Sequence, residues 1–132
     1  MGTRLKALVV DDSELSRCMT GTVIAKGFSY DEAENGLDAV SMYQKAVVSG
    51  MPYDIIFMDV IMPEMDGKEA VRKIREYEAT MGLERKPIVM ISASEMIDDI
   101  AGLVNGLMRK PTSSKLMNEL LQEIFKGNIE PI

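Results

Sequence analysis

Asp54 to Gly67 reads DIIFMDVIMPEMDG, and its apolar run Ile55-Ile56-Phe57-Met58 is compatible with few folds. Four consecutive large apolar residues without polar alternation suit a strand covered on both faces, as in the middle of a parallel sheet. The run stops at a carboxylate, Asp59. A loop with Met62-Pro63 follows, and Asp66-Gly67 reads as a turn ahead of a helical pattern. Open α/β sheets place their ligands where Asp59 stands, just outside the carboxyl end of a buried strand. A lone Asp after a strand more often caps a loop, so Asp59 gains weight only from the company it keeps.

The rest of the chain supplies that company. Leu5–Val10 is an apolar run ending in Asp11-Asp12, and Ser13–Lys26 reads as a helix with Leu15, Met19 and Val23 on its inner stripe. A short strand over Ser29–Ala33 ends in the turn Asn35-Gly36. A second helix runs from Gly36 to Ser49, with Val40, Tyr43 and Val47 inward. After the central strand, Lys68–Ala79 is a third helix, with Val71, Ile74 and either the ring of Tyr77 or Ala70 facing the core. Ile88–Ile91 is a strand ending at Ser92, and Glu95–Val104 a short fourth helix carrying Ile97, Ile100 and Val104. Gly106–Arg109 is a brief strand ended by Lys110-Pro111, and Ser113–Lys126 a fifth helix with rows Leu116/Leu120/Ile124 and Met117/Leu121/Phe125.

Strands alternating with helices call for an α/β fold, a doubly wound parallel sheet covered on both faces. The flavodoxin-like order 2-1-3-4-5, with five strands and five helices, is the expectation. Its ligand site lies at the switch between the first and third strands. That order brings Asp11, Asp12 and Asp59 together at one edge, with Ser92 and Lys110 closing the fourth and fifth strands onto it.

Composition removes whole classes of function. At 132 residues the chain (1–132) is expected to be one domain with a real core. A net charge of -6 argues against nucleic acid and against an anionic membrane surface as partners. The absence of histidine excludes every His-dependent triad and His metal site. The single cysteine, Cys18, excludes an internal disulfide and reads as a small core residue in a reducing compartment. No apolar run is long enough for a membrane span, and no signal peptide or repeat is expected from the residues. Most of the twelve methionines are expected in the core, with Met62 and Met65 the pair available to a partner.

Three clustered carboxylates repel one another, so either one is protonated or a cation is bound. Oxygen-only ligands select a hard ion, Mg²⁺ or Mn²⁺. A cation, the Lys110 ammonium and the Ser92 hydroxyl around a carboxylate form a receptor for phosphoryl oxygens. The chemistry that follows is attack of a carboxylate on phosphorus, with Asp59 the nucleophile and the other two acids kept for the cation.

With VVDDSELSR at 9–17, AENG at 33–36, DIIFMDVIMPEMDG at 54–67, PIVMISA at 87–93 and Arg109-Lys110-Pro111, the chain resembles the receiver domains of two-component response regulators. The resemblance runs from Leu5 to Phe125. It implies a cytoplasmic phosphorelay domain, monomeric or dimeric, that accepts a phosphoryl group on Asp59 from a sensor histidine kinase or a histidine-phosphotransfer protein. It implies Mg²⁺ bound by Asp12, Asp59 and the Ile61 carbonyl, with Asp11 acting through water, and phosphoryl oxygens held by Lys110 and Ser92. Such a domain catalyses only its own phosphorylation and dephosphorylation.

Two departures from the family pattern stand out. Leu107 occupies the position, three before the lysine, where the family usually has a Tyr or Phe that turns inward on activation. Ser92 and Lys110 are eighteen positions apart, about one helical turn less than the family interval. The fourth helix is therefore expected to be short and the most mobile element. A phosphorylation-independent binding module is the main alternative. A haloacid-dehalogenase-type phosphatase fits less well, because its Asp-x-Asp is absent: Ile61 stands two residues after Asp59. A nucleotide-binding relative fits least, for want of a Gly-rich loop after the first strand.

Overall fold

The structure, a computed structural model, describes residues 4–93 and 95–132. Five parallel strands, β1 (Leu5–Val10), β2 (Phe28–Ala33), β3 (Ile55–Asp59), β4 (Ile88–Ser92) and β5 (Gly106–Arg109), form one sheet in the order β2-β1-β3-β4-β5. The connecting helices are α1 (Glu14–Ile24), α2 (Gly36–Val48), α3 (Gly67–Met81) and, after β5, α4 (Ser114–Ile124). This is the expected flavodoxin-like topology.

Successive side chains of a strand point to opposite faces, and here both faces are covered. Leu8, Val10, Ile56, Met58, Ile88 and Met90 pack with Tyr43, Ala70, Val71 and Ile74 of α2 and α3. Ala7, Val9, Ile55, Phe57, Val89 and Ile91 pack with Ile24, Met117 and Leu121 of α1 and α4. That double burial is why β1, β3 and β4 carry no polar alternation.

The fourth helical segment is short, as expected, but it is a 3-10 helix over Asp98–Leu103 instead of an α-helix over Glu95–Val104. Ile97 at its N-cap makes no side-chain bond, and six residues are too few to stabilise an α-helix by themselves. Tertiary contacts hold it instead. Ile100 is buried, and α3 reaches it with Lys68 and Arg72 on Asp99 (2.8 and 3.2 Å) and with Arg75 on the Leu103 carbonyl (2.9 Å).

Three further expectations are corrected. In α1 the stripe Leu15–Met19 faces outward, 71% and 40% exposed, and the buried positions are Arg17, Thr20, Gly21 and Ile24. Arg17 is tolerated inside because its guanidinium donates to the Asp11 carbonyl (2.8 Å) and to Glu32 (3.0 Å). Gly21 lets the Tyr30 side chain lie against the helix, since a Cβ there would come 2.2 Å from the Tyr30 hydroxyl and displace it. Cys18 is consequently exposed and not a core residue. The core takes the buried Met58, Met62, Met90, Met108 and Met117, and Met42 and Met65 pack against it, so most of the described methionines face the core as expected, but the pair expected to be available to a partner is not. Met62 is thereby withdrawn from any partner, and Met65 packs on the α2/α3 side of the core.

Among the described residues no helix is long and apolar enough to cross a membrane.

Candidate functional site

β1 and β3 lie side by side with Val10 opposite Met58, so the acids that follow them emerge at the same edge. One carboxylate oxygen from each of Asp11, Asp12 and Asp59 lies within 4.8 Å of the others. Asp11 and Asp59 are buried and Asp12 is exposed, which leaves the cluster open to solvent on one side. β5 delivers Lys110 to the same place. Its ammonium lies 3.1 Å from Asp11 Oδ2 and 3.2 Å from Asp59 Oδ1.

Local backbone fixes the acids. Asp11 Oδ1 accepts from the Ser13 N–H (2.9 Å), and the Ser13 hydroxyl in turn caps α1 by accepting from the Ser16 N–H. Asp59 Oδ1 accepts from its neighbour's N–H, that of Val60, at 3.0 Å. Asp59 Oδ2 makes no hydrogen bond or ion pair with any described residue. Asp66-Gly67, expected as a turn, is the N-cap and first residue of α3. Gly67 is required there for a reason the turn reading missed. A Cβ on it would sit 1.9 Å from the Asp59 carbonyl oxygen, so α3 seats directly against the backbone that carries Asp59. Asn35-Gly36 plays the same part for α2, with the Met65 carbonyl 2.4 Å from a Cβ at Gly36.

Burial, and then the negative charge of Asp11, pushes the Asp59 carboxyl up to about 6 against the pull of Lys110. Burial alone would lower the Lys110 pKa. The hydrogen bond and charge of Asp11, followed by those of Asp59, outweigh it and hold the ammonium above its ordinary value. The folded chain thus keeps a proton on Asp59 between about 4 and 6 that the unfolded chain has released. Stability from this group is greatest below about pH 4, falls as the pH rises to about 6, and stays at its reduced level above. In metal-free buffer Asp59→Asn is therefore expected to raise stability at pH 7 by roughly 1–3 kcal/mol, with no gain at pH 4. Urea unfolding at the two pH values tests this, and a less stable variant at pH 7 contradicts it.

The acid cluster fits a hard divalent ion, since it offers only oxygens, is half-enclosed and holds excess negative charge that one ammonium does not cancel. Ile61, two residues beyond Asp59, turns its side chain outward, 61% exposed. Ser92 ends β4 fully buried, and among the described residues its hydroxyl bonds to Glu95 and Arg109 and to none of the acids. The structure thus joins Asp11, Asp12, Asp59 and Lys110, and leaves Ser92 turned to the edge strand. Beside Lys110 a cleft of about 240 Å³ opens between α1 and the turn into α4, lined by Ser16, Met19, Thr20, Ile91, Pro111 and Thr112. Arg17 and Arg109, which donate to the Asp11 carbonyl and to the Ser92 hydroxyl, escaped the sequence reading. No periodicity marks a cation by the backbone it bonds.

The family profile described as the response regulator receiver domain matches residues 7–122. The two-component response regulator ORR41 of Oryza sativa subsp. japonica is 34% identical over 92% of this chain and 91% of its own length. Probable histidine kinase 2 of Oryza sativa subsp. indica is 32% identical over 93% of this chain, which spans only 13% of that kinase. Among solved structures, the chain is similar to the receiver domain of the Arabidopsis thaliana histidine kinase CKI1 complexed with Mg²⁺ and BeF₃⁻, with a TM-score of 0.71 at 28% identity over 89% of this chain and 90% of that one. It is also similar to the complex of the Saccharomyces cerevisiae histidine phosphotransfer protein Ypd1 with the receiver domain of Ssk1, with a TM-score of 0.78 at 25% identity over 91% and 88% of the two chains.

Proposed function

The chain belongs to the response regulator receiver domain family, and we propose that it takes a phosphoryl group from a phosphohistidine partner onto Asp59 in a Mg²⁺-dependent reaction. The observation that carries this reading is the asymmetry of Asp59: Oδ1 is tied to Lys110 and the Val60 N–H, while Oδ2 has no hydrogen bond to any described residue. Oδ2 is the attacking atom. Its lone pair forms the new P–O bond as the P–N bond of the phosphohistidine breaks, and the imidazole nitrogen leaves with that electron pair. Lys110, already 3.2 Å from Asp59, holds an oxygen of the transferred group, and the Ser92 hydroxyl is the second donor. Asp11, Asp12, Asp59 and the Ile61 carbonyl would hold the divalent ion, which supplies positive charge for the phosphoryl oxygens. Residues 1–132 act as a single cytoplasmic receiver, monomeric or dimeric, without nucleic-acid or membrane contacts, that catalyses only its own phosphorylation and dephosphorylation.

The partner is a sensor histidine kinase or a histidine-phosphotransfer protein. Leu15, Leu37, Ile61 and Met96, each at least half exposed, follow the carboxyl ends of β1, β2, β3 and β4. They belong to the same end of the sheet as the acids and form an exposed apolar set suited to a protein partner; the similar yeast receiver domain is in complex with a histidine phosphotransfer protein. Family membership sets the phosphatase reading aside. The complete set of acids and Lys110 speaks against a phosphorylation-independent module.

The test is transfer from a panel of phosphorylated histidine-phosphotransfer proteins. Labelling is expected with Mg²⁺, lost on chelation and restored by added metal. No transfer from any donor, including a small phosphodonor, contradicts the reading. Calorimetry should show Asp12→Ala weakening Mg²⁺ binding by more than the tenfold or so that loss of an outer-shell partner typically costs. Unchanged affinity would remove Asp12 from the site.

A further inference from the structure

The hydroxyl of Ser92 has one proton to donate and two lone pairs to accept with, and all three are in use. It donates to the Glu95 carbonyl (3.2 Å) and accepts from the Glu95 N–H (2.9 Å) and from Arg109 Nη1 (3.2 Å). The same Nη1 donates to the Glu95 carbonyl at 3.1 Å. Arg109 sits opposite Ser92 in the β4–β5 register. It is two residues from Leu107, and so on the same face of the edge strand, where Leu107 packs on the α2/α3 side of the core. One guanidinium on the edge strand thus clamps the side chain at the end of β4 to the backbone three residues on. All of these bonds lead away from the acids.

We propose that Arg109 is a positioning residue for the phosphoryl site, holding the Ser92 hydroxyl against Glu95 and off Asp59 until phosphoryl capture draws it away. This deepens the reading of Asp59 as phosphoacceptor and rests on it. To donate to a phosphoryl oxygen, Ser92 must give up the Glu95 carbonyl and move off Arg109. A charge-assisted bond is stronger than a neutral one, so it opposes that movement. The Glu95 carbonyl is not stranded when Ser92 leaves, because Arg109 already donates to it. The edge strand senses the site through this arginine, at a position where Leu107 has no hydroxyl or ring to offer.

The experiment follows labelling by acetyl phosphate with Mg²⁺, in which an Asp59 oxygen forms the new P–O bond while the donor's P–O bond breaks and acetate leaves with its electron pair. Arg109→Ala is expected to label about three- to tenfold faster than wild type, the change that loss of one hydrogen bond of ordinary net strength from this exposed guanidinium implies. Arg109→Gln, which keeps a neutral donor, should fall between. In a Ser92→Ala background the same Arg109 substitutions should change nothing, a non-additivity that a merely structural role does not produce. A second arm needs no phosphorylation: amide exchange over residues 95–103 should rise in resting Arg109→Ala. Wild-type rates in both Arg109 variants, equal acceleration without Ser92, or unchanged exchange would each overturn the proposal. If wild type itself takes no label, the phosphoacceptor reading fails, and the exchange arm still decides whether Arg109 holds Ser92.

Discussion

Asp59→Asn is expected to reduce labelling by any phosphodonor to background while leaving a folded and, at neutral pH, more stable protein. The amide preserves an acceptor for the Val60 N–H, which the carboxylate holds at 3.0 Å. It removes the charged oxygen that attacks phosphorus and half of the charge facing Lys110. Neighbouring Asp11 cannot take over. Its two oxygens are committed to the Ser13 N–H and to Lys110. Lys110→Ala should behave differently, because the lysine orients the phosphoryl group without forming the bond. Some labelling should persist, slowed and uncoupled from any change around Ser92. Intact protein mass after reaction with donor distinguishes the variants, and full labelling of Asp59→Asn would move the acceptor elsewhere.

The largest loss of stability is expected at Arg75, far from the acids. Arg75 and Glu78 are 7% and 1% exposed and pair at 2.7 Å within α3. Glu78 also accepts from the Tyr43 hydroxyl (2.6 Å) and the Lys86 N–H (2.9 Å). Burial, and then the bond to Glu78, raises the Tyr43 pKa, so the phenol stays a donor. Arg75 donates in turn to the carbonyls of Leu103 (2.9 Å) and Lys86 (2.8 Å). This network ties α2, α3, the entry to β4 and the end of the 3-10 segment. Arg75→Ala strands the Glu78 charge in the interior and should cost about 3–5 kcal/mol, a large share of a domain's net stability. Converting both residues, Arg75→Met with Glu78→Leu, should recover part of that loss, since no buried charge is left unpaired although the Tyr43 hydroxyl and the Lys86 N–H lose their acceptor. Urea unfolding of the single and double variants decides. A loss under about 1 kcal/mol for Arg75→Ala, or a double variant no better than the single, would show that the pair is not what holds these elements.

What could be read from residues alone follows from which groups act through pattern. β1, β3 and β4 were legible because burial on both faces writes a continuous apolar run, and α3 because Ala70, Val71 and Ile74 repeat at helical spacing. The acids were legible because each follows such a run. The face of α1 was not. Its outer row, Leu15 and Met19, is more apolar than the inner one, where Arg17 is buried by bonding the Asp11 carbonyl and Gly21 is buried by the Tyr30 ring. A pattern count has no way to see an arginine satisfied by backbone. The 3-10 segment was read as α because six residues are too few to separate a period of 3.0 from one of 3.6. Gly36 and Gly67 were read as turns, yet their role is close approach between backbones distant in sequence, which only the fold brings together. Arg109 stood inside a recognised motif, but its partner three residues beyond the end of β4 is set by the sheet register.

The most direct measurement is to locate the phosphoryl group itself. Wild-type protein is labelled with a phosphohistidine donor and Mg²⁺, reduced with borohydride to convert the acyl phosphate to an alcohol, and cleaved for peptide mass analysis. One modification per chain is expected, in the peptide carrying Asp59 and at that residue. A stable label that survives hydroxylamine, or a modified residue other than Asp59, would contradict the account.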